Sequence, residues 1–201
     1  MKHPLFLLAS LSYCLTSYAA EASAARLGKP VKAGQISHAL KSGAILTTNF
    51  HNLKSPAYCI GVAGGNAKDR AYIKQGVCSN AARDQVWLWE PVSGPGSDYV
   101  VLKNAKNRRL CLGVERGSHG RANIMLGVCN GNPDQKWIMN YVPSTGPNGA
   151  PAFHIKNPYH LCIGVEGGAT TRAQLKQNTC NIHAPDQAWY SYSFEDADNR
   201  A

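Results

Sequence analysis

The chain has 201 residues, the size of one ordinary domain with little left over. Hydrophobic residues make up 44% and charged residues 16%, which excludes a disordered chain, and no apolar run reaches the ~18 residues of a membrane-spanning helix. The formal net charge of +9 favours anionic partners such as sulfated or sialylated glycans, phospholipid headgroups or nucleic acid, although solubility alone also explains it.

Residues 1–19 have the pattern of a secretory signal peptide. Lys2 gives a positive start, an apolar stretch runs from Pro4 to Leu15, and small residues follow, so cleavage is predicted after Ala19. The alternative is a lipoprotein signal that uses Cys14, which the bulky residue before that cysteine disfavours. The sequence therefore predicts a secreted protein, and loss of Cys14 with the signal leaves an even number of cysteines, as a disulfide framework requires.

The remaining chain divides into three predicted parts. Residues 20–43 are rich in Ala, Gly, Lys and Ser, so we expect a flexible leader or linker. Residues 44–194 are predicted to form one domain. Residues 195–201 are predicted to be a polar tail.

The predicted domain contains one pattern three times. Cys59-Ile60-Gly61-Val62 returns as Cys111-Leu112-Gly113-Val114 and as Cys162-Ile163-Gly164-Val165, at spacings of 52 and 51 residues. A second cysteine follows after 19, 18 and 18 residues, and then an Asp-Gln-x-Trp sequence. The Asp-Gln-x-Trp sequences are residues 84–87, 134–137 and 186–189. Two smaller features also recur. An arginine returns as Arg70, Arg121 and Arg172, and an apolar-Lys pair precedes each unit as Leu53-Lys54, Leu102-Lys103 and Ile155-Lys156.

Each repeat has the pattern of short strands separated by turns. Apolar stretches such as Leu110 to Val114 and Asn123 to Val128 have strand lengths, and Gly, Pro, Ser and Asn separate them. The densest basic run, Lys103 to Arg109, lies between two strands and indicates a hairpin tip. Because units of about 50 residues cannot each bury a core, the sequence predicts an all-β fold with one shared core and threefold pseudosymmetry.

Six cysteines allow 15 pairings in general. The equivalence of the repeats favours pairing within each one, and such loops contribute roughly 3 kcal/mol each in the chain-entropy model. The predicted disulfides are Cys59–Cys78, Cys111–Cys129 and Cys162–Cys180.

Cys-x-x-Val followed by a second Cys and Gln-x-Trp, three times over, resembles the ricin B-chain type of β-trefoil lectin. The resemblance covers about Ile45 to Phe194 and implies a β-trefoil of three disulfide-closed repeats that binds carbohydrate. In that family the Trp packs into the shared core and the Gln amide ties neighbouring loops together. The resemblance implies these structural roles for Gln85, Trp87, Gln135, Trp137, Gln187 and Trp189.

The positions that bind sugar in this family carry other residues here. A sugar-binding repeat has Asp two residues after its first Cys, an aromatic platform two residues before its second Cys, and Asn before the Gln. These positions are Gly61, Gly113 and Gly164; Gly76, Gly127 and Asn178; and Asp84, Asp134 and Asp186. We therefore do not expect the family's galactose specificity.

Glu115 and Glu166 offer a replacement for the missing carboxylate. Each lies two residues after the glycine and so on the same side of its strand, whereas the first repeat has Ala63 there and is expected to lack a site. The alternative is that each Arg bridges the Asp of its own repeat. The hypothesis assigns carbohydrate binding to Glu115, Arg121 and Asp134 in repeat two and to Glu166, Arg172 and Asp186 in repeat three.

Motifs for catalysis are not found. The sequence contains no Gly-x-x-x-x-Gly-Lys and no Gly-x-Ser-x-Gly, and its histidines lack metal-ligand spacing. Basic residues are not interleaved with aromatics as in proteins that bind single-stranded nucleic acid. We therefore expect a secreted glycan-binding protein that is not an enzyme and has no cofactor, metal site or nucleic-acid partner, and whose weak sites act through avidity.

The alternative to a lectin is a binding or scaffold subunit of a secreted multi-chain toxin. The trefoil subunits of cytolethal distending toxins are similar in architecture and also depart from the sugar-site pattern. Such a subunit would act through protein–protein contacts with a separate toxin chain.

Overall fold

The computed structural model describes residues 29–31, 38, 46–92, 98–170 and 172–193. The regular elements from residue 46 onward are β-strands and short 3-10 turns. The predicted signal peptide, residues 1–19, and the predicted tail, residues 195–201, lie outside the described residues. Within the described residues no helix is long and apolar enough to cross a membrane.

The strands of the described residues fall into a short first strand and three sets of four. Repeat one comprises β2 to β5, repeat two β6 to β9 and repeat three β10 to β13. In chain order the strands are β1 (Lys29–Pro30), β2 (Leu46–Asn52), β3 (Tyr58–Val62), β4 (Ile73–Val77), β5 (Trp87–Pro91), β6 (Val100–Asn104), β7 (Asn107–Val114), β8 (Ile124–Val128), β9 (Ile138–Thr145), β10 (Pro151–Lys156), β11 (Leu161–Val165), β12 (Leu175–Thr179) and β13 (Trp189–Ser193).

The first and last strands of each repeat close into a six-stranded barrel. β2 pairs antiparallel with β13 on one side and with β5 on the other, and β5 pairs with β6. Reciprocal backbone hydrogen bonds of 2.8 and 2.9 Å between Val100 and Trp137 connect β6 to the residue that precedes β9. β9 pairs with β10 and β10 with β13, which completes the ring.

The two middle strands of each repeat form a hairpin, and the three hairpins meet around the pseudo-threefold axis. We call this layer of β3, β4, β7, β8, β11 and β12 the hairpin cap. Its hairpins are joined by bridges at equivalent positions, Tyr72–Met125, Asn123–Lys176 and Gln174–Lys74. The predicted all-β trefoil of three repeats is confirmed.

One hydrophobic core contains residues of all three repeats. The repeated pattern places Trp87, Trp137 and Trp189 in it, each with no exposed surface. Their Nε1 atoms donate to backbone carbonyls of the same repeat at 3.1, 2.9 and 3.0 Å. Each buried indole is therefore both packed and hydrogen-bonded, as burial of its N–H requires.

The glutamine before each of these tryptophans fixes the end of the hairpin. Gln85 Nε2 donates to Val77 O at 2.8 Å, and its Oε1 accepts from Ser79 N at 2.8 Å. Gln135 and Gln187 make the equivalent pairs of bonds at 2.9 to 3.1 Å. Because the two bonded residues flank the second cysteine, each glutamine immobilises one end of a disulfide.

The disulfides pair within each repeat, as Cys59–Cys78, Cys111–Cys129 and Cys162–Cys180. The basic run of residues 103–109 forms the predicted hairpin tip, where Asn104 pairs with Asn107 between β6 and β7.

The apolar-Lys echo is wrong for the first repeat. The residues paired with the first cysteine of each repeat are His51, Lys103 and Lys156. The counterpart of the other two pairs is therefore Phe50-His51, and Leu53-Lys54 lies three residues out of phase.

Residues 29–31 lie inside the segment predicted as a leader, yet they dock on the domain. β1 pairs antiparallel with the end of β13, and Val31 N donates to Ser191 O at 2.9 Å. Val31 is 1% exposed and belongs to the main core. This part of the leader is thus an additional strand, and apart from His38 the rest of residues 20–43 lies outside the described residues.

Contacts across the repeat boundaries hold the short turns of the hairpin cap. Lys106 Nζ donates to Gly65 O at 2.7 Å, and Lys54 Nζ donates to Gly168 O. In the third equivalent position the Tyr159 ring stacks on His119 with a centroid distance of 3.8 Å. Each repeat therefore anchors the turn of the preceding one, which positions the clefts described below.

Candidate functional site

A cleft of about 240 Å³ lies in repeat one, between the hairpin β3–β4 and the 3-10 turn Arg83–Gln85. Its charged residues are Lys74, Asp84 and Arg172. We call it the repeat-one cleft, lined by residues 61–65, 74–77, 84, 85 and 172. It lies in the repeat that was expected from the sequence to lack a site.

The carboxylate of the repeat-one cleft comes from the Asp-Gln-x-Trp loop. A Cβ atom on Gly61 would lie 3.5 Å from Asp84 Oδ2 and 2.8 Å from Gln85 Cγ. An aspartate at this glycine, as in the family pattern, would press on the glutamine and place a second carboxylate against the first. The glycine and the aspartate are therefore coupled replacements. Repeats two and three show the same geometry, since a Cβ on Gly113 would lie 3.5 Å from Asp134 Oδ2 and one on Gly164 would lie 3.4 Å from Asp186 Oδ2.

No ring stands where the family pattern has its aromatic platform. A Cβ on Gly76 would lie 3.4 Å from the Gln85 amide nitrogen, and one on Gly127 would lie 3.1 Å from that of Gln135. The nearby apolar surface comes instead from the next residue of the strand, since Val77 is 53% exposed and Val128 is 58% exposed. The lining of the repeat-one cleft therefore offers polar and aliphatic groups but no aromatic ring.

Asp84 is held firmly from its backbone. Its carbonyl oxygen accepts from Asn104 Nδ2 at 2.9 Å, across the boundary between repeats one and two. Gln85, the next residue, is bonded at both ends of its amide. The backbone that carries the Asp84 carboxylate is therefore held on both sides.

The structure regroups the charged residues that the sequence placed within single repeats. Arg172 lines the repeat-one cleft with Asp84, whereas Arg121 shares a second cleft with Glu115 and Glu166. Asp134 and Asp186 line neither cleft, and they lie against Gly113 and Gly164 of their own repeats.

The regrouping follows from the interlocking of the hairpins. The residue after each of these arginines is bonded to the next hairpin: Ala173 O accepts from Gln75 N at 3.0 Å, and Ala122 O accepts from Gln177 N at 2.9 Å. Each arginine therefore lies beside an acid of another repeat. Ion pairs among the described residues join Arg70 to Asp69, Lys103 to Glu90 and Lys176 to Glu166, and none of these joins one of the three repeated arginines to the Asp of an Asp-Gln-x-Trp sequence.

The second cleft has a volume of about 560 Å³ and lies on the hairpin cap between repeats two and three. We call it the inter-hairpin cleft, lined by Glu115, Arg116, Ser118, Arg121, Ala122, Asn123, Glu166 and Lys176.

The two carboxylates of the inter-hairpin cleft have different partners. Glu115 Oε2 accepts from Asn123 Nδ2 at 2.7 Å, and Oε1 accepts from the Tyr72 hydroxyl at 3.4 Å. Glu166 forms an ion pair with Lys176. The hydrogen bond from Lys176 lowers the pKa of Glu166, and the charge of Arg121 lowers it further.

Sequence reasoning missed Lys74, Lys176 and Arg116. Lys74 and Lys176 occupy the same position of repeats one and three, as their bridges show. Arg116 stands at the middle of a 3-10 turn where repeats one and three have glycine. A full alignment of the three repeats against each other would have exposed both signals.

Two histidines lie beside disulfides but do not make metal sites. His51 groups with Cys59 and Cys78, and His154 groups with Cys162 and Cys180. The sulfur atoms are bonded to each other, so no thiolate is available as a ligand. Burial lowers the pKa of both histidines, which favours their neutral forms.

Comparison with known proteins identifies the family. The profile of the ricin-type β-trefoil lectin domain matches residues 46–189. The chain belongs to the ricin-type β-trefoil lectin family. Among curated proteins, no sequence matches that of the chain significantly.

Solved structures with the same fold differ widely in sequence from this lectin-family chain. The designed threefold-symmetric protein ThreeFoil is 18% identical, with 74% of this chain and 99% of ThreeFoil covered and a TM-score of 0.64. A mosquitocidal holotoxin is 15% identical over 74% of this chain but only 17% of its own, with a TM-score of 0.61. A Polyporus squamosus lectin bound to the epitope Neu5Acα2-6Galβ1-4GlcNAc is 14% identical, with 72% and 48% covered and a TM-score of 0.55.

Proposed function

We propose that this protein is a secreted lectin that is not an enzyme and that binds one sugar unit of a cell-surface glycan in the repeat-one cleft. The observation that carries the proposal is the Asp84 carboxylate, on a backbone held by Asn104, with Lys74 and Arg172 around the same cleft. Membership of a lectin family supports it. So does the Polyporus squamosus lectin, which has the same fold and whose structure contains a bound sialylated epitope.

The chemistry of the repeat-one cleft suits a polyhydroxylated ligand with acidic groups. Asp84 accepts hydrogen bonds from sugar hydroxyls, and Lys74 and Arg172 donate charge-assisted bonds to hydroxyl, carboxylate or sulfate oxygens. The volume of about 240 Å³ is smaller than that of a typical drug-sized pocket, which suits a single ring. A single shallow site binds weakly, so avidity would supply the strength.

A glycan array on the oxidised protein from residue 20 to residue 201 tests the proposal. Asp84→Asn keeps the shape of the side chain and removes its charge, and we expect at least about tenfold weaker binding, from the loss of charge-assisted bonds. Asp134→Asn is the matched control, because repeat two has Met125 where repeat one has Lys74. Equal binding by wild type and Asp84→Asn, or equal loss in both variants, would contradict the proposal.

Secretion is proposed on two grounds. Residues 1–19 have the pattern of a signal peptide, and the structure contains three disulfides, which persist in oxidising compartments. Mass spectrometry of the exported protein should show an N-terminus at Ala20 and no free thiol. Retention in the cytoplasm with residue 1 intact would contradict this.

A binding or scaffold subunit of a multi-chain toxin is the second candidate. The glycines at the family's aspartate and platform positions favour it, since a protein-binding trefoil has no need of those side chains. The fold also forms part of a mosquitocidal holotoxin. A folded, oxidised protein that binds no glycan but copurifies with one specific toxin chain would support this candidate over a lectin.

A further inference from the structure

The inter-hairpin cleft is separate from the repeat-one cleft and larger. The two clefts have no lining residue in common, and their volumes are about 560 and 240 Å³. The inter-hairpin cleft contains three cationic side chains, Arg116, Arg121 and Lys176, and the carboxylates of Glu115 and Glu166. Its excess of positive charge favours a ligand with an anionic group.

Only some of these charged side chains have partners within the protein. Lys176 pairs with Glu166, and the two oxygens of Glu115 accept bonds from Asn123 and Tyr72. Arg116 and Arg121 form no ion pair with any described residue. Two guanidinium groups are therefore available, and each can hold a carboxylate through paired N–H donors.

The backbone conformation of Arg116 is a second, independent indication of a ligand site. Arg116 has φ = 56°, in the left-handed region, at the position where repeats one and three have Gly64 at 68° and Gly167 at 64°. A residue other than glycine costs roughly 1 kcal/mol or more in this conformation. Arg116 forms no ion pair within the described residues that offsets this cost, which leaves its guanidinium group open to a ligand.

Glu115 complements the two arginines. Its carboxylate is held at both oxygens, and each oxygen retains a lone pair that can accept from a ligand hydroxyl. A ligand with a carboxylate for the arginines and neighbouring hydroxyls for Glu115 and Ser118 would satisfy the whole cleft. Acidic sugars have this combination.

We propose that the inter-hairpin cleft is a second ligand site that binds a carboxylate-bearing sugar residue. Arg116 and Arg121 hold the carboxylate, and Glu115 accepts from the hydroxyls. The inference deepens the proposed lectin function by naming a substrate class, but it uses a different cleft, so the two proposals can fail separately.

Titration of isotope-labelled protein with methyl glucuronide, followed by NMR, tests the second site, with neutral methyl glucoside as the matched ligand. We expect the acidic sugar to shift the amide signals of residues 115–123, 166 and 176, and the neutral sugar to bind at least about tenfold more weakly. Arg116→Gly should weaken binding about tenfold or more without lowering the melting temperature, because glycine is the native residue of the other two repeats.

Arg121→Gln is the second variant, and we expect the same loss. Arg70→Gln is the control, since it removes an exposed guanidinium that lies outside the cleft. Equal binding of both sugars, full binding by Arg116→Gly and Arg121→Gln, or no binding of the acidic sugar would overturn the inference. If only the signals of Lys74 and Asp84 shift, the second site is overturned and the repeat-one cleft is supported. If the signals of the inter-hairpin cleft still shift in Asp84→Asn, the second site is supported independently of the repeat-one cleft.

Discussion

At the scale of single residues, three glycines decide the chemistry of the repeats. Gly61, Gly113 and Gly164 allow the hairpin backbone to approach the following glutamine so closely that a Cβ would meet its Cγ at 2.8, 3.1 and 2.8 Å. The glutamine cannot move aside, because its amide is bonded at both ends. A side chain at these positions would therefore press on the glutamine, and the acidic group of each repeat comes instead from the neighbouring loop.

We expect Gly61→Ala and Gly164→Ala to lower the free energy of unfolding by about 1–3 kcal/mol, the usual cost of forcing an extra methyl group into packed structure. Gly113→Ala, with 3.1 Å to the nearest atom, should cost less. Thermal and denaturant unfolding would measure this order. Gly120→Ala is the control, because its added Cβ would meet nothing closer than 3.9 Å. Destabilisation by Gly120→Ala equal to that by Gly61→Ala would contradict the packing argument.

Which residues the sequence could locate depends on whether they act within one repeat. The cysteines and the Gln-x-Trp pairs make contacts inside their own repeat, so equal spacing was enough to place them. Arg121 and Arg172 act across repeat boundaries, and spacing along one repeat carries no information on which neighbouring hairpin they meet. That partner is set by the three-dimensional interlocking of the cap.

At the scale of elements, β1 is the part that sequence patterns could not find. It has two residues, too few for any alternation of apolar and polar positions to be recognised. Its position depends on the end of β13, where it adds one more antiparallel pairing. The segment preceding the repeats thus has a structural role that its Ala- and Gly-rich composition concealed.

Val31→Ala tests that role. Val31 is 1% exposed, so loss of two methyl groups should lower the free energy of unfolding by about 1–3 kcal/mol. Chemical denaturation measures the change. Val128→Ala removes the same atoms from a residue that is 58% exposed and should change stability by no more than about 0.5 kcal/mol. An unchanged free energy of unfolding in Val31→Ala would mean that β1 contacts the domain without stabilising it.

At the scale of the whole molecule, the three repeats share one core, and we therefore expect them to unfold together. The barrel takes two strands from every repeat, and the tryptophans of all three lie in one cluster. This differs from a solenoid, in which each repeat contacts only its neighbours and can open locally. Damage in the core of one repeat should therefore weaken the other two equally.

Trp137→Phe tests whether damage in the core of one repeat weakens all three. The substitution removes the indole N–H that donates to Leu112 O at 2.9 Å and leaves a small void, at a cost of roughly 2–4 kcal/mol. Hydrogen exchange should show the same fall in opening free energy for barrel amides of repeat one at Phe50 and repeat three at Phe153 as for repeat two at Leu102. Ile182→Ala, at a residue 56% exposed, should change none of them. A fall confined to repeat two would mean that the repeats are energetically separate, and binding in one cleft would then leave the stability of the other repeats unchanged.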